Sequence, residues 1–138
     1  MRFPQHSKSD IMTKQILKIP LRVVSEANMS EHWTKKHKRK KEQKRLVTIF
    51  AKDAVRLIKP PVTVKLTRVA PRALDQDNLV ASFKHVLDVI SDLIHPGLAP
   101  GRADGLGDIS FSWHQEKGKP KEYAILVEFK EVKEPDHT

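Results

Sequence analysis

The chain has 138 residues, with 26 Lys and Arg against 17 Asp and Glu, a formal net charge of +9, 38% hydrophobic residues and 6% aromatics. That length fits one domain with a modest core, and the absence of Cys excludes a disulfide scaffold, a thiolate zinc finger and a Cys nucleophile. No apolar run approaches the roughly 18 residues needed to span a bilayer and no secretory leader is visible, so a soluble, cytoplasmic protein with no membrane association is expected, and the charge points to a polyanionic partner.

In chain order, residues 1–14 lack periodicity and read as a flexible N-terminal segment. Residues 15–131 read as one domain and 132–138 as a tail. Ile16 to Val24 is β-branched and apolar, a strand whose Pro20 places it at a sheet edge. Ser30 to Lys59 reads as one helix, N-capped by Ser30 and stopped by Pro60-Pro61. Between Thr34 and Arg45 it holds Lys35, Lys36, Lys38, Arg39, Lys40, Lys41, Lys44 and Arg45 against a single acid, Glu42. Its second half carries Leu46, Val47, Ile49, Phe50, Ala54, Val55, Leu57 and Ile58 at helix-compatible spacings, an apolar face able to dock. Most of the surplus charge lies in this block, which predicts a sequence-independent grip on nucleic-acid phosphates. A solvated helix face or a basic arm is the plainer alternative. Trp33 is expected to pack beneath this helix, with stacking on a base as the alternative.

Val62, Val64 and Leu66 alternate with Thr63, Lys65 and Thr67, a half-buried strand. Leu79 to Ile94 is apolar on one helical side. His95 to Gly107 contains Gly97, Gly101, Gly105 and Gly107 and reads as a loop. Ile109, Phe111 and Trp113, then Tyr123, Ile125, Val127 and Phe129, mark two more strands, expected to form a hairpin through Glu116 to Lys121. The order β-α-β-α-β-β predicts an α+β domain, a small mixed sheet of about four strands packed with two helices.

Asp75-Gln76-Asp77-Asn78 lies between the second strand and second helix. A D-x-D unit leaving a strand turns two carboxylates to one side, and paired hard oxygen donors suit Mg²⁺ or Mn²⁺. The plainer reading makes Asp77 a helix cap and Asp75 a turn residue. On a continuous helix Lys84 and Asp88 return to within about 20° of Asp77, a polar stripe in line with D-x-D. Lys84 could reach a phosphate beside the metal or pair with Asp88. The glycine-rich loop supplies Asp104 and Asp108 as candidate third carboxylates, or as turn residues. The histidines His32, His37, His85, His95 and His114 have no zinc spacing and are read as structural or surface groups.

Over about residues 15–131 the chain resembles the RusA family of Holliday junction resolvases, in particular its phage and prophage branch. The matching pieces are Ser25-Glu26-Ala27-Asn28, Glu31-His32-Trp33 opening the basic helix, Leu74-Asp75-Gln76-Asp77-Asn78-Leu79, Lys84 with Asp88 four residues on, an aspartate in the glycine-rich loop, and two closing strands. Shorter members carry the lysine where this chain has Ala81, and the family's usual loop Asp-Asp pair is here Ala103-Asp104. The resemblance implies a Mg²⁺-dependent endodeoxyribonuclease (Mn²⁺ a plausible substitute) that cuts four-way DNA junctions as a homodimer, with no small-molecule cofactor. Asp75, Asp77, Lys84 and Asp104 would be catalytic. Asp75, Asp77, Asp104 and secondarily Asp108 would hold the metal, Asp88 and Asn78 would support them, and Asn28 would join the basic helix on DNA. A non-catalytic nucleic-acid binder with a degenerate acidic site, and a phage assembly or interaction protein, are the alternatives.

Overall fold

The computed structural model describes residues 14–25, 33–96 and 107–132. They form β1 (Lys14–Ile19), α1 (Trp33–Val55), β2 (Val62–Ala70), α2 (Gln76–Ser82), α3 (Lys84–Ile94), β3 (Ile109–Lys117) and β4 (Ala124–Glu131). The four strands make one mixed sheet in the order β1-β4-β2-β3. β4 is antiparallel to both β1 and β2, while β3 is parallel to β2. Thus β1, β2 and β3 run one way, joined by helical crossovers, and only β4 runs back. This is the expected small α+β fold, with β1 at the expected edge and Pro20 just past its end.

Strand alternation sorts the sheet's two faces. On one face the cross-strand rows are Gln15, Phe129, Val64 and Phe111, then Leu17, Val127, Leu66 and Trp113. These rows meet Val47, Ala51 and Ala54 of α1 and Val86, Val89 and Ile90 of α3 in one core. The next row is Ile19, Ile125, Arg68 and Gln115. The inward face therefore turns from apolar to polar at the end where β2 gives way to the acidic segment.

Three expectations are corrected. β3 and β4 form no hairpin, because β2 lies between them. After β3 the chain crosses the end of β2, where Gly118 N–H donates to the Ala70 carbonyl at 2.8 Å. A Cβ on Gly118 would lie 3.1 Å from Val69 Cγ1, so the close passage suits glycine. Running back between β1 and β2, β4 satisfies the ladder edges of both. The second helix is two, so the domain has three helices, not two. Fully buried Phe83 interrupts it with φ −97° and ψ 7°. Buried Ser82 turns its hydroxyl back onto the Leu79 carbonyl at 2.7 Å, a local bond that competes with the helical ladder. Finally, β1 stops at Ile19 and α1 at Val55, short of Val24 and Lys59, although Leu21, Val23 and Ile58 remain buried in the core.

Candidate functional site

The C-terminal ends of β1, β2 and β3 lie together, and the D-x-D segment begins there. Gln115 fixes its approach. The Leu74 amide donates to Gln115 Oε1 at 2.9 Å, and Gln115 Nε2 donates to the Leu74 carbonyl at 2.7 Å. This two-point clamp from an adjacent strand sets the backbone just before Asp75.

Asp75 is the N-cap residue of α2, with extended backbone and its carbonyl accepting from the Leu79 amide at 2.9 Å. Its carboxylate makes no capping bond. It accepts instead from Asn78 Nδ2, while Asn78 Oδ1 accepts from the Ser25 hydroxyl at 2.6 Å. Ser25, Asn78 and Asp75 are thus tied in series, which orients the Asp75 carboxylate and spans from the segment after β1 to α2. Asp77 occupies the first turn of α2, exposed. Since β2 ends at Ala70, strand alternation does not place the two carboxylates; they straddle the start of a helix.

Lys84 is exposed and opens α3, and Asp88 is half-buried one turn later. The break at Phe83 interrupts the helical phase, so the Asp77–Lys84–Asp88 stripe is not carried by one continuous helix. Among the described residues no ion pair joins Lys84 to Asp88. Asn28 and Asp104 lie outside the described residues.

Asp108 stands elsewhere. It precedes β3, and its carbonyl accepts from the amide of Val62 at the start of β2. Its carboxylate oxygens lie 2.9 and 3.0 Å from His95 Nε2. Seven residues of extended strand separate it from Gln115, roughly 23 Å. Asp108 therefore does not join Asp75 and Asp77; it answers His95 at the opposite end of the sheet. His114 sits on the other face, 3.1 Å from the Ser112 hydroxyl.

The basic block occupies the first half of α1. Burial on this helix begins at Gln43 and continues through Val47, Ala51, Ala54 and Val55. Before Gln43 every residue is exposed or half-buried, so about 15 Å of helix overhangs the core. Lys35, Lys38, Lys40 and Lys41 are exposed, and Lys36, Arg39 and Lys44 half-buried. Arg45 is engaged with Glu42 through contacts of 2.7 to 3.3 Å. That hydrogen bonding, aided by the opposite charge, holds the Glu42 carboxyl below its usual range. Trp33 is not packed beneath the helix. It is 69% exposed, with its ring edge-on to His37 at 6.1 Å, because it stands in the overhang beyond the core's reach.

A further basic group borders D-x-D. Arg68 is only 8% exposed. Its Nη1 donates to the Arg72 carbonyl at 2.7 Å, and its Nε has no partner. Burial, reinforced by the nearby charge of Arg22, pulls its pKa down, while Tyr123 acts in the other direction. The Arg22 guanidinium lies 4.2 Å from the centre of the Tyr123 ring. A cleft of about 350 Å³ opens nearby, between 70–73 and 115–117, with Arg72, Glu116 and Lys117 on its walls. The signals for Arg68 and Gln115 were parity signals: each continues the inward positions of its strand, Val62, Val64, Leu66 and Ile109, Phe111, Trp113, with a polar side chain.

No protein-family model matches the chain, and no curated protein matches it either. Among the described residues no three His, Asp or Glu side chains converge on a common metal position, and no helix is long and apolar enough to cross a membrane. The donor set at D-x-D is two exposed carboxylates. That fits Mg²⁺ or Mn²⁺, ions commonly held by one or two carboxylates with water and substrate phosphate completing the shell.

Proposed function

We propose that the protein is a RusA-like, Mg²⁺-dependent endodeoxyribonuclease that resolves four-way DNA junctions in recombination and repair, acting as a cytoplasmic homodimer. The observation that carries the reading is the pairing of opposite features at one end of the sheet. Exposed Asp75 and Asp77, the former held by Asn78, share that end with Arg68 and Arg22, neither of which has a carboxylate partner among the described residues. A binder that only gripped phosphates would gain nothing from carboxylates there, since they repel the ligand unless a cation intervenes.

Asp75 and Asp77, with Asp104 as third carboxylate, would hold Mg²⁺ or Mn²⁺, which when bound polarises the scissile phosphate and neutralises its developing charge. Gln115 and the Ser25–Asn78 tie keep the Asp75 carboxylate aimed, so little reorganisation is left for the reaction. Lys84 supplies positive charge to the phosphoryl oxygens, with Asp88 behind it. Hydrolysis exchanges one phosphorus–oxygen ester bond for a bond to water oxygen, and a proton leaves with the freed ester oxygen. The overhanging half of α1 supplies the sequence-independent grip, with Asn28 nearby in sequence. A homodimer would place two such sites on the two-fold symmetric junction.

One observation favours a second reading, a binding-only protein on the same fold: Asp108 is committed to His95 and leaves the third carboxylate to Asp104 alone. Incubation of a synthetic four-way junction with Mg²⁺ and either wild type or Asp77→Asn decides between them. Paired cuts by the wild type, lost in the variant with binding retained, are expected. Binding without wild-type cleavage would establish the binding-only reading, and equal cleavage by both proteins would remove Asp77 from the site.

A further inference from the structure

Arg68 is the most heavily buried charge among the described residues, and the fold does little to accommodate it. An arginine has five N–H donors and cannot shed its charge. Here one donor reaches a backbone carbonyl, Nε is buried without a partner, and no described carboxylate forms an ion pair with the guanidinium. Buried arginines are ordinarily paired, because desolvating a lone cation is costly. The charge of Arg22 makes matters worse, since it too is positive. Arg22 is exposed, rests on the Tyr123 ring and likewise has no carboxylate partner. Two guanidinium groups within reach of each other's charge repel unless an anion lies between or beside them.

The surroundings identify the anion. Arg68 belongs to the same cross-strand row as Gln115, whose side chain clamps Leu74 next to Asp75. Arg22 lies three residues before Ser25, the other anchor of the acidic segment. Both therefore lie at the same end of the sheet as the carboxylate pair. A carboxylate ligand would present two oxygens to one fork, whereas a phosphate diester or monoester presents oxygens in several directions and suits two guanidinium groups arriving from different segments, one on β2 and one past the end of β1. We propose that Arg68 and Arg22 form a phosphate-binding subsite at the C-terminal end of β2. Resting on the nuclease reading above for the source of the anion, the ligand is a backbone phosphate of the DNA beside the bond to be cut. Arg68 is the fixed, desolvated half of this subsite. Exposed Arg22, braced on Tyr123, is the half that meets the strand first.

The test measures binding with cleavage silenced, so that it does not depend on the nuclease. A labelled four-way junction is titrated in EDTA at several NaCl concentrations with full-length wild type, Arg22→Gln and Arg68→Met, and each protein is melted. Each variant is expected to bind about 5–30-fold more weakly, with the slope of log affinity against log salt reduced by about one. Arg68→Met is expected to melt no lower than the wild type, since it removes a poorly compensated buried charge while keeping volume. Exposed Arg22→Gln keeps the test decisive if Arg68→Met proves unstable. In a second arm, inorganic phosphate near 10 mM is added at matched ionic strength, where site-specific binding raises the melting temperature. Unchanged affinity and salt slope in Arg22→Gln and in a folded Arg68→Met would overturn the proposal. A phosphate-induced rise in melting temperature lost in the variants, with junction salt slopes unchanged, would overturn the DNA assignment in favour of free phosphate. Reduced slopes in a protein whose wild type cuts no junction would uphold the subsite and remove only the nuclease reading.

Discussion

The two ends of the β2–β3 pair use similar residues to opposite effect. At the start of β3, Asp108 faces His95, with its carbonyl tied to the Val62 amide. The ionisable groups there answer one another inside the fold. At the far end Asp75 is held by a neutral amide, Asp77 is exposed, and Arg22 and Arg68 lack carboxylate partners. Acids and bases share that end of the sheet without being paired. Charges that pair internally serve the architecture. Charges left unpaired within the chain are open to partners outside it, and under the proposed function a cation together with a phosphate would satisfy both sets.

The sharpest way to break this contrast is to neutralise one aspartate at each end. Asp75→Asn is expected to lower junction cleavage by about 10²–10³-fold, the usual loss when a transition-state charge partner is removed, with junction affinity in EDTA retained. Asp108→Asn is expected to cut within a few-fold of wild type and to lose about 1 kcal/mol of stability, the worth of a partly exposed charged hydrogen bond. Single-turnover cleavage with thermal melts of both variants reads the two effects separately. An Asp108→Asn protein as inactive as Asp75→Asn would mean that the two ends act together.

Much of this layout could be read from residues, and the exceptions have physical causes. Val62, Val64 and Leu66 announced β2, and Pro20 placed β1 at an edge. The helix break could not be read from periodicity, because Leu79, Phe83, Val86 and Ile90 keep helical spacing across it. Ser82 makes the competing bond and Phe83 enters the core at the turn. The β3–β4 order was hidden because adjacent strands ordinarily pair, and the preference of β4 for two partners is a property of the assembled sheet. For the candidate site, D-x-D was legible as a motif, but its anchoring was not. Gln115 and Leu74 are 41 residues apart, and Ser25 and Asn78 are 53. Asp104 and Asn28 remain as motif readings, since they lie outside the described residues.

The overhang of α1 provides the next test. If it grips phosphates while the sheet end does chemistry, the two functions separate. Replacing Lys35, Lys38, Lys40 and Lys41 together by Gln is expected to weaken junction binding by about 10²-fold near 0.1 M salt and to lower the salt slope by about three to four. Stability should change little, because no core side chain is touched. Cleavage at saturating protein should persist. A collapse of cleavage at saturation would show that the overhang positions the substrate as well as attracting it.

The smallest effect concerns Glu42, the single acid in the basic block. Its carboxyl is held below the usual range by hydrogen bonds from Arg45, so at neutral pH it is ionised and draws Arg45 away from any phosphate. A depressed carboxyl pKa means that the pairing is fully present above the ordinary Glu value of about 4.3 and is lost only as pH falls through the lowered one. Wild type should therefore show a flat junction affinity between about pH 8 and pH 5 as far as this pair is concerned. Glu42→Gln removes the competing charge at every pH. It is expected to bind about 2–3-fold more tightly at pH 7, with the salt slope steeper by up to about one. Anisotropy titrations of both proteins across salt measure this directly. An unchanged slope would put Arg45 outside the DNA contact and confine the grip to the part of α1 before Glu42.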